Sequence, residues 1–205
     1  MKISAIFVKI NFSPLLNMLL YFDPDSIKTF SDLLFYLSKK ATPAVRKKGF
    51  ENYLSQNRHQ VYCCKNGNIY VMSGAKYNDT EFHIAEKLTA AGYHILFPNQ
   101  GDFGKGRKND VYIYDTKIYT QHKVELKSLF GKTAEVVKSQ LICGAEQAEF
   151  IVYDVQSSIS AQWFIRGVRQ GWSKNICKIL VNWHGQWHEF IKKDVFSREI
   201  YKILK

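Results

Sequence analysis

The chain has 205 residues, and its 29 Lys and Arg against 18 Asp and Glu give a formal charge of +11 with histidine neutral. With 46% hydrophobic and 15% aromatic residues it has ample apolar matter for a core, which excludes a disordered basic tail. The length excludes two full-sized domains but allows one domain with a small attached module, and the positive charge favours a polyanionic partner.

The first 22 residues, MKISAIFVKINFSPLLNMLLYF, look like a leader, but Lys9 and Asn11 interrupt the apolar region. No uninterrupted run of about eighteen apolar residues occurs, so no stable membrane span is expected. Cys63, Cys64, Cys143 and Cys177 form no C-x-x-C pair, which fits a reduced interior. The expected site of action is the cytoplasm, with secretion or delivery left open.

Ser13-Pro14 opens a predicted first helix to Phe22, and a second spans 26–40, with Phe30, Leu33, Leu34 and Leu37 as its apolar stripe. A basic helix is predicted over 44–56. VYCCKNGNIYVM then reads as a hairpin turning at Asn66-Gly67. Residues 1–75 are therefore expected to form an accessory, mostly helical module, and 76–205 a second domain. The module's basic run Lys39, Lys40, Arg46, Lys47, Lys48 suits a solvated face or a nucleic-acid contact.

From Asn78 the pattern predicts a helix 79–92, a strand 93–97, a glycine-rich basic loop and strands 110–115 and 120–127. A helix 133–146 and a strand 150–154 complete an αβββαβ order, the mark of an α/β (α+β) mixed sheet. A helix 161–170, strands 177–183 and 187–191, and a short helix from Ser197 follow. At 100° per residue Glu81 falls in the apolar arc of Ile84, Ala85 and Leu88. An inward carboxylate must be paired, protonated or bound to a cation. Asn78 with Glu81 also fits a capping box, which explains the glutamate by helix initiation alone.

Strand alternation places Val124 and Leu126 on one face and Glu125 and Lys127 on the other, about 6.6 Å apart along the strand. Asp110 stands at the entrance of the preceding strand. Asp110 and Glu125 can offer hard oxygen ligands to Mg²⁺ or Mn²⁺, and Lys127 can orient water or offset phosphate charge. An ordinary i,i+2 ion pair on an exposed strand would look the same. Asp115-Thr116-Lys117 offers a competing D-x-K at a predicted turn.

The ordered set E81-x₃-A85-x₂-L88-x₃-G92, N109-D110, E125-L126-K127 and a following helix carrying Gln140 resembles the PD-(D/E)XK nuclease superfamily over residues 78–155. Asn109 stands where the motif name has proline. The resemblance implies a restriction-endonuclease-like core and a metal-dependent endonuclease of DNA or RNA. By position, Asp110 and Glu125 are implied metal ligands, Lys127 catalytic, and Glu81 an assistant to the metal or its water. Gln140 matches the glutamine often found on the helix after the last motif.

Lys105, Arg107 and Lys108, in the glycine-rich loop just before Asp110, could hold backbone phosphates. The loop lacks G-x₄-GK[ST], so ATP use is unsupported. GKGRKNDVYIY followed by VELKS also resembles nuclease toxin domains, some of which cleave tRNA, which implies an acidic immunity partner. Restriction or repair nucleases compete with that role and allow a homodimer. A non-catalytic basic nucleic-acid-binding protein and a protein-interaction module are the non-enzymatic alternatives. His184 and His188 lie four apart, but Gly185 predicts a turn and no zinc pair.

Overall fold

The computed structural model describes residues 42–99, 101, 109–117 and 120–204. Both helices predicted before residue 41, and the loop cations Lys105, Arg107 and Lys108, lie outside the described residues. The described chain is α/β, built on one eight-stranded mixed sheet whose strands are ordered as they occur in sequence. The strands are β1 (His59–Cys63), β2 (Asn68–Met72), β3 (Tyr93–Phe97), β4 (Val111–Asp115), β5 (Gln121–Leu129), β6 (Phe150–Val155), β7 (Lys178–Trp183) and β8 (Gln186–Phe190).

The helices are α1 (Pro43–Gln56), α2 (Asp79–Ala90), α3 (Ala134–Ala145), α4 (Ala161–Gly171) and the short α5 (Lys192–Val195) and α6 (Ile200–Ile203). Three βαβ crossovers, through α2, α3 and α4, join the parallel pairs β2–β3, β5–β6 and β6–β7. Hairpins or antiparallel neighbours account for the rest. Consequently β2, β3, β5, β6 and β7 end on one edge of the sheet, and β1, β4 and β8 run against them. Carboxyl edges of this kind are where α/β folds place their sites.

The helices divide between the two faces because strand residues alternate. Ile84, Ala85 and Leu88 of α2 bury against Ile69, Ile95, Val111, Val124 and Phe150. On the opposite face α1 packs Phe50 and Tyr53 on Tyr112 and Tyr114, while α3 and α4 cover Leu129, Ile151, Tyr153 and Val181. Helix starts are set by side-chain caps: Thr42 before Pro43, Asn78 before α2, Thr133 before α3 and Ser160 before α4. Gly92, at φ +94°, turns the chain out of α2.

The αβββαβ order holds from α2 to β6. The hairpin β1–β2 is part of the same sheet, through parallel pairing of Ile69, Tyr70 and Val71 with Ile95, Leu96 and Phe97. The expected division at residue 75 thus falls between β2 and α2, inside one continuous sheet. His184 at φ 50° and Gly185 at φ 83° make the tight turn of the β7–β8 hairpin. No helix among the described residues is long and apolar enough to cross a membrane.

Candidate active site

The site forms where β4 begins. Val111 pairs with Val124, so β5 runs on beyond its neighbour from Glu125 to Leu129, leaving a notch at the carboxyl edge of the sheet. The N–H of Leu126 faces that notch with no strand among the described residues to receive it, and Asp110 supplies the acceptor: Leu126 N donates to Asp110 Oδ2 at 2.8 Å. Asn109, 3% exposed, fixes the approach by donating from Nδ2 to Val111 O at 2.7 Å. Asp110 is therefore held against the strand segment that carries Glu125 and Lys127.

Glu125 is buried at 2% exposure. Its Oε1 accepts from Lys127 Nζ at 2.5 Å and from Gln147 Nε2 at 2.8 Å. Its Oε2 is buried and receives no N–H donor, and a protonated Asp110 donates to the Glu125 carboxylate. Burial raises the Asp110 carboxyl to about 6, with the Glu125 charge adding to the rise, and the Leu126 N–H and Lys127 opposing it. Burial likewise raises Glu125, against the pull of Lys127. Two carboxylates, one of them buried, thus share one notch with one ammonium.

Glu81 satisfies both of its expected descriptions. It closes the capping box of α2: Glu81 N donates to Asn78 Oδ1 at 2.9 Å, and Asn78 N and Nδ2 donate to its Oε2 and Oε1 at 3.1 and 2.8 Å. It is also half-buried and raised from the ordinary carboxylate range, by burial first and then by the Asp110 charge. The start of α2 and the notch therefore meet electrostatically at the sheet edge. Among the described residues no group of three or more His, Cys, Asp or Glu side chains is arranged to hold a metal ion. Glu81, committed to Asn78, leaves Asp110 and Glu125 as the donor pair.

Gln140 sits on α3 beside the same strand, with Nε2 donating to Ser128 O at 3.4 Å and Oε1 buried without a partner. The glutamine that touches the glutamate is Gln147, in the turn after α3, and sequence spacing did not single it out. The only signal was its place where the chain must re-enter the sheet at β6. Close approach there is made by Gly144, where a Cβ would lie 3.0 Å from Ile151 Cδ1 and 3.5 Å from Glu125 Cγ. The competing Asp115 accepts from Lys117 N at 2.7 Å in a turn. All four cysteines are free. No family model, no curated protein and no solved structure matches the chain.

Proposed function

We infer that the chain is a divalent-metal-dependent endonuclease that hydrolyses phosphodiester bonds of DNA or RNA, with a restriction-endonuclease-like core over residues 78–155. One observation carries this reading. Asp110 and Glu125 share a notch in which each is disfavoured as an anion, and one oxygen of the buried glutamate receives no N–H donor. A cation relieves that arrangement, and Mg²⁺ commonly needs only one or two carboxylates because it keeps much of its water. Asp110 and Glu125 fit as ligands of Mg²⁺ or Mn²⁺, with Glu81 close enough to assist once released from Asn78.

Bound there, the ion would supply Lewis-acid stabilisation of phosphoryl oxygen and a more acidic water. The chain's own groups have separate tasks. Lys127 places an ammonium beside the carboxylates, where it offsets charge on the scissile phosphate. Gln147 holds the Glu125 carboxylate in one orientation. Lys105, Arg107 and Lys108 precede Asp110 in the chain and would grip backbone phosphates, and Gln140 lies beside β5, where it donates to Ser128 O. Such an enzyme acts where nucleic acid is, in the cytoplasm of the cell that makes it or receives it.

The test is cleavage of plasmid, single-stranded DNA and total RNA with and without Mg²⁺ or Mn²⁺. Metal-dependent cleavage lost in Glu125→Ala and Lys127→Ala is the expected result. Binding with a steep salt dependence but no cleavage by the wild type would replace the enzyme with a basic nucleic-acid-binding protein.

A further inference from the structure

Helices α3 and α4 meet along a line set by Gly167 and Gly171, where a Cβ would lie 2.4 Å from Ala134 O and 2.9 Å from Lys138 O. Beside that contact the two helices leave a groove of about 560 Å³, a volume in the range of small-ligand sites. Trp163, Arg166 and Gln170, spaced i, i+3 and i+7 along α4, make one wall, and Glu135 and Lys138 of α3 stand on the other.

The core does not require Trp163. The buried face of α4 is Phe164, Ile165, Gly167, Val168 and Gly171, and Trp163 stands 47% exposed beside it. A single exposed aromatic is ordinary on a protein surface, but the neighbours of this one are not. The Arg166 guanidinium lies 5.2 Å from the centroid of the indole, and among the described residues no carboxylate pairs with it. Arg169 shows the contrast. It lies 5.3 Å from the Tyr201 ring but commits its guanidinium to Val195 O and Ser197 O, as a tie between α4 and the end of the chain. Across the groove from Arg166, Lys138 Nζ donates to Glu135 Oε1 at 3.0 Å. Exposed i,i+3 pairs of this kind contribute little, so a phosphate can draw the ammonium away.

A half-exposed indole between a guanidinium and an ammonium suits a nucleotide of an unpaired strand. The ring takes the face of a base by stacking, which tolerates any sequence because every base has such a face. Arg166 can direct its N–H fork to a phosphate while its plane stays on the ring, and Lys138 adds a second positive charge. A duplex keeps its base faces stacked inside and offers the groove phosphates alone. An acidic peptide would engage the two cations and leave the indole unused.

We propose that the α3–α4 groove binds single-stranded nucleic acid, with one base against Trp163 and the adjoining phosphate held by Arg166 and Lys138. That this strand is the substrate rests on the nuclease reading of the notch. Glu125 and Lys127 pair with Ile151 and Tyr153, which are buried under α3 and α4, so notch and groove lie on the same side of the sheet. Helix α3 stands between them, with Gly144 towards Glu125 and Ala134 towards α4, and a helix is about 10 Å across. The groove therefore holds the strand by contacts that need no metal, one helix width from the carboxylates.

The test measures binding by the full chain in chelator, using fluorescence anisotropy of a labelled oligothymidylate of about 12 nucleotides and of a duplex of the same length. Trp163→Ala should weaken single-strand binding by roughly 5- to 150-fold, as loss of a stacking ring does, and leave duplex binding unchanged. Trp163→Phe, which keeps a ring, should restore it. Arg166→Gln should weaken the same binding and flatten the slope of log K against log salt by about 0.7, one phosphate contact on a single strand. Tyr201→Ala, at the other arginine-covered ring, should have no effect. Indifference to Trp163→Ala, or an equal loss in Tyr201→Ala, overturns the proposal. So does oligoglutamate binding as tightly as the oligonucleotide with loss in Arg166→Gln alone, which would give the groove to an acidic protein segment. Trp163-dependent binding by a wild type that shows no metal-dependent cleavage would keep the groove and remove the nuclease. Metal-dependent cleavage with single-strand binding untouched by Trp163→Ala would do the reverse.

Discussion

The backbone N–H of Leu126 donates to Asp110 Oδ2 at 2.8 Å, so the carboxylate at the start of β4 completes the hydrogen bonding of β5 where its neighbour strand has ended. A buried backbone donor left without a partner is costly, and one side chain removes that cost while bringing its charge to Glu125. Fold and site share this bond. Its strain is electrostatic, because the arrangement that satisfies Leu126 also sets two carboxylates together.

Asp110→Asn should therefore separate stability from activity. The Asp110 carboxyl is raised to about 6 in the fold, above its unfolded value of about 3.9. Its favourable contribution is fully present below about pH 4 and is lost as pH rises through about 6. An asparagine keeps an oxygen for Leu126 and carries no charge. At pH 8 the variant should resist urea better than wild type by about 1–2 kcal/mol, discounted for the partial solvent exposure of the site. At pH 4 the gain should vanish, and cleavage should be absent throughout. Equal urea midpoints at pH 8 would show that the two carboxylates do not destabilise each other.

Divalent metal should act on the same pair from the other direction. A cation that binds only the folded chain stabilises it in proportion to the logarithm of its concentration over Kd. Thermal unfolding at pH 7.5 should shift upward with increasing Mn²⁺ in the wild type and stay fixed in Asp110→Asn combined with Glu125→Gln. The metal concentration for half-maximal cleavage should fall as pH rises through about 6, because proton and cation compete for Asp110. A metal requirement independent of pH between 5 and 7 would remove Asp110 from the ligand set.

Much of the frame was legible because its signals are local. Val124, Leu126 and Glu125, Lys127 separate by simple alternation, and VNWHGQW announces a hairpin through His184-Gly185. The strand 93–97 coincides with β3, and helices end within a residue or two of capping and glycine positions. What was not legible depends on non-local pairing. Joining β2 to β3 requires the α2 crossover to lay residues 69–71 beside 95–97, and nothing within the hairpin states that. Glu81 was legible as a cap and as an inward acid separately; its nearness to Asp110 depends on how α2 crosses the sheet. Gln147 was missed for the same reason, since its partner lies 22 residues away, at Glu125.

Gln147 positions Glu125 without being able to replace it. Its Nε2 donates to Glu125 Oε1 at 2.8 Å, sharing that oxygen with Lys127. Gln147→Ala should leave the fold intact and lower metal affinity or activity by about 10- to 100-fold, the usual effect of losing a group that orients a ligand. The metal concentration for half-maximal cleavage should rise more than kcat falls. Gln147→Glu should be worse than alanine, because it sets a third carboxylate against Glu125. A Gln147→Ala enzyme with wild-type metal dependence would assign Gln147 to the turn alone.

The helical layer behind the notch depends on a different kind of contact, and Gly167 tests it. Helices α3 and α4 meet so closely that a Cβ on Gly167 would stand 2.4 Å from Ala134 O and 2.6 Å from Val137 Cβ. The nearest obstacle is backbone in the first turn of α3, which cannot rotate away. Gly167→Ala must push α4 off α3, and overpacking of this kind costs about 1–3 kcal/mol. Gly185 is the control: it sits at φ +83°, and a Cβ there would meet nothing within 4 Å, so Gly185→Ala carries only local backbone strain of about 1 kcal/mol. Because α3 also presents Gly144 to Glu125 Cγ, displacement at Gly167 should lower cleavage along with the urea midpoint, whereas Gly185→Ala should lower the midpoint alone. Equal losses of activity in the two variants would mean that the α3–α4 contact does not set the geometry of the notch.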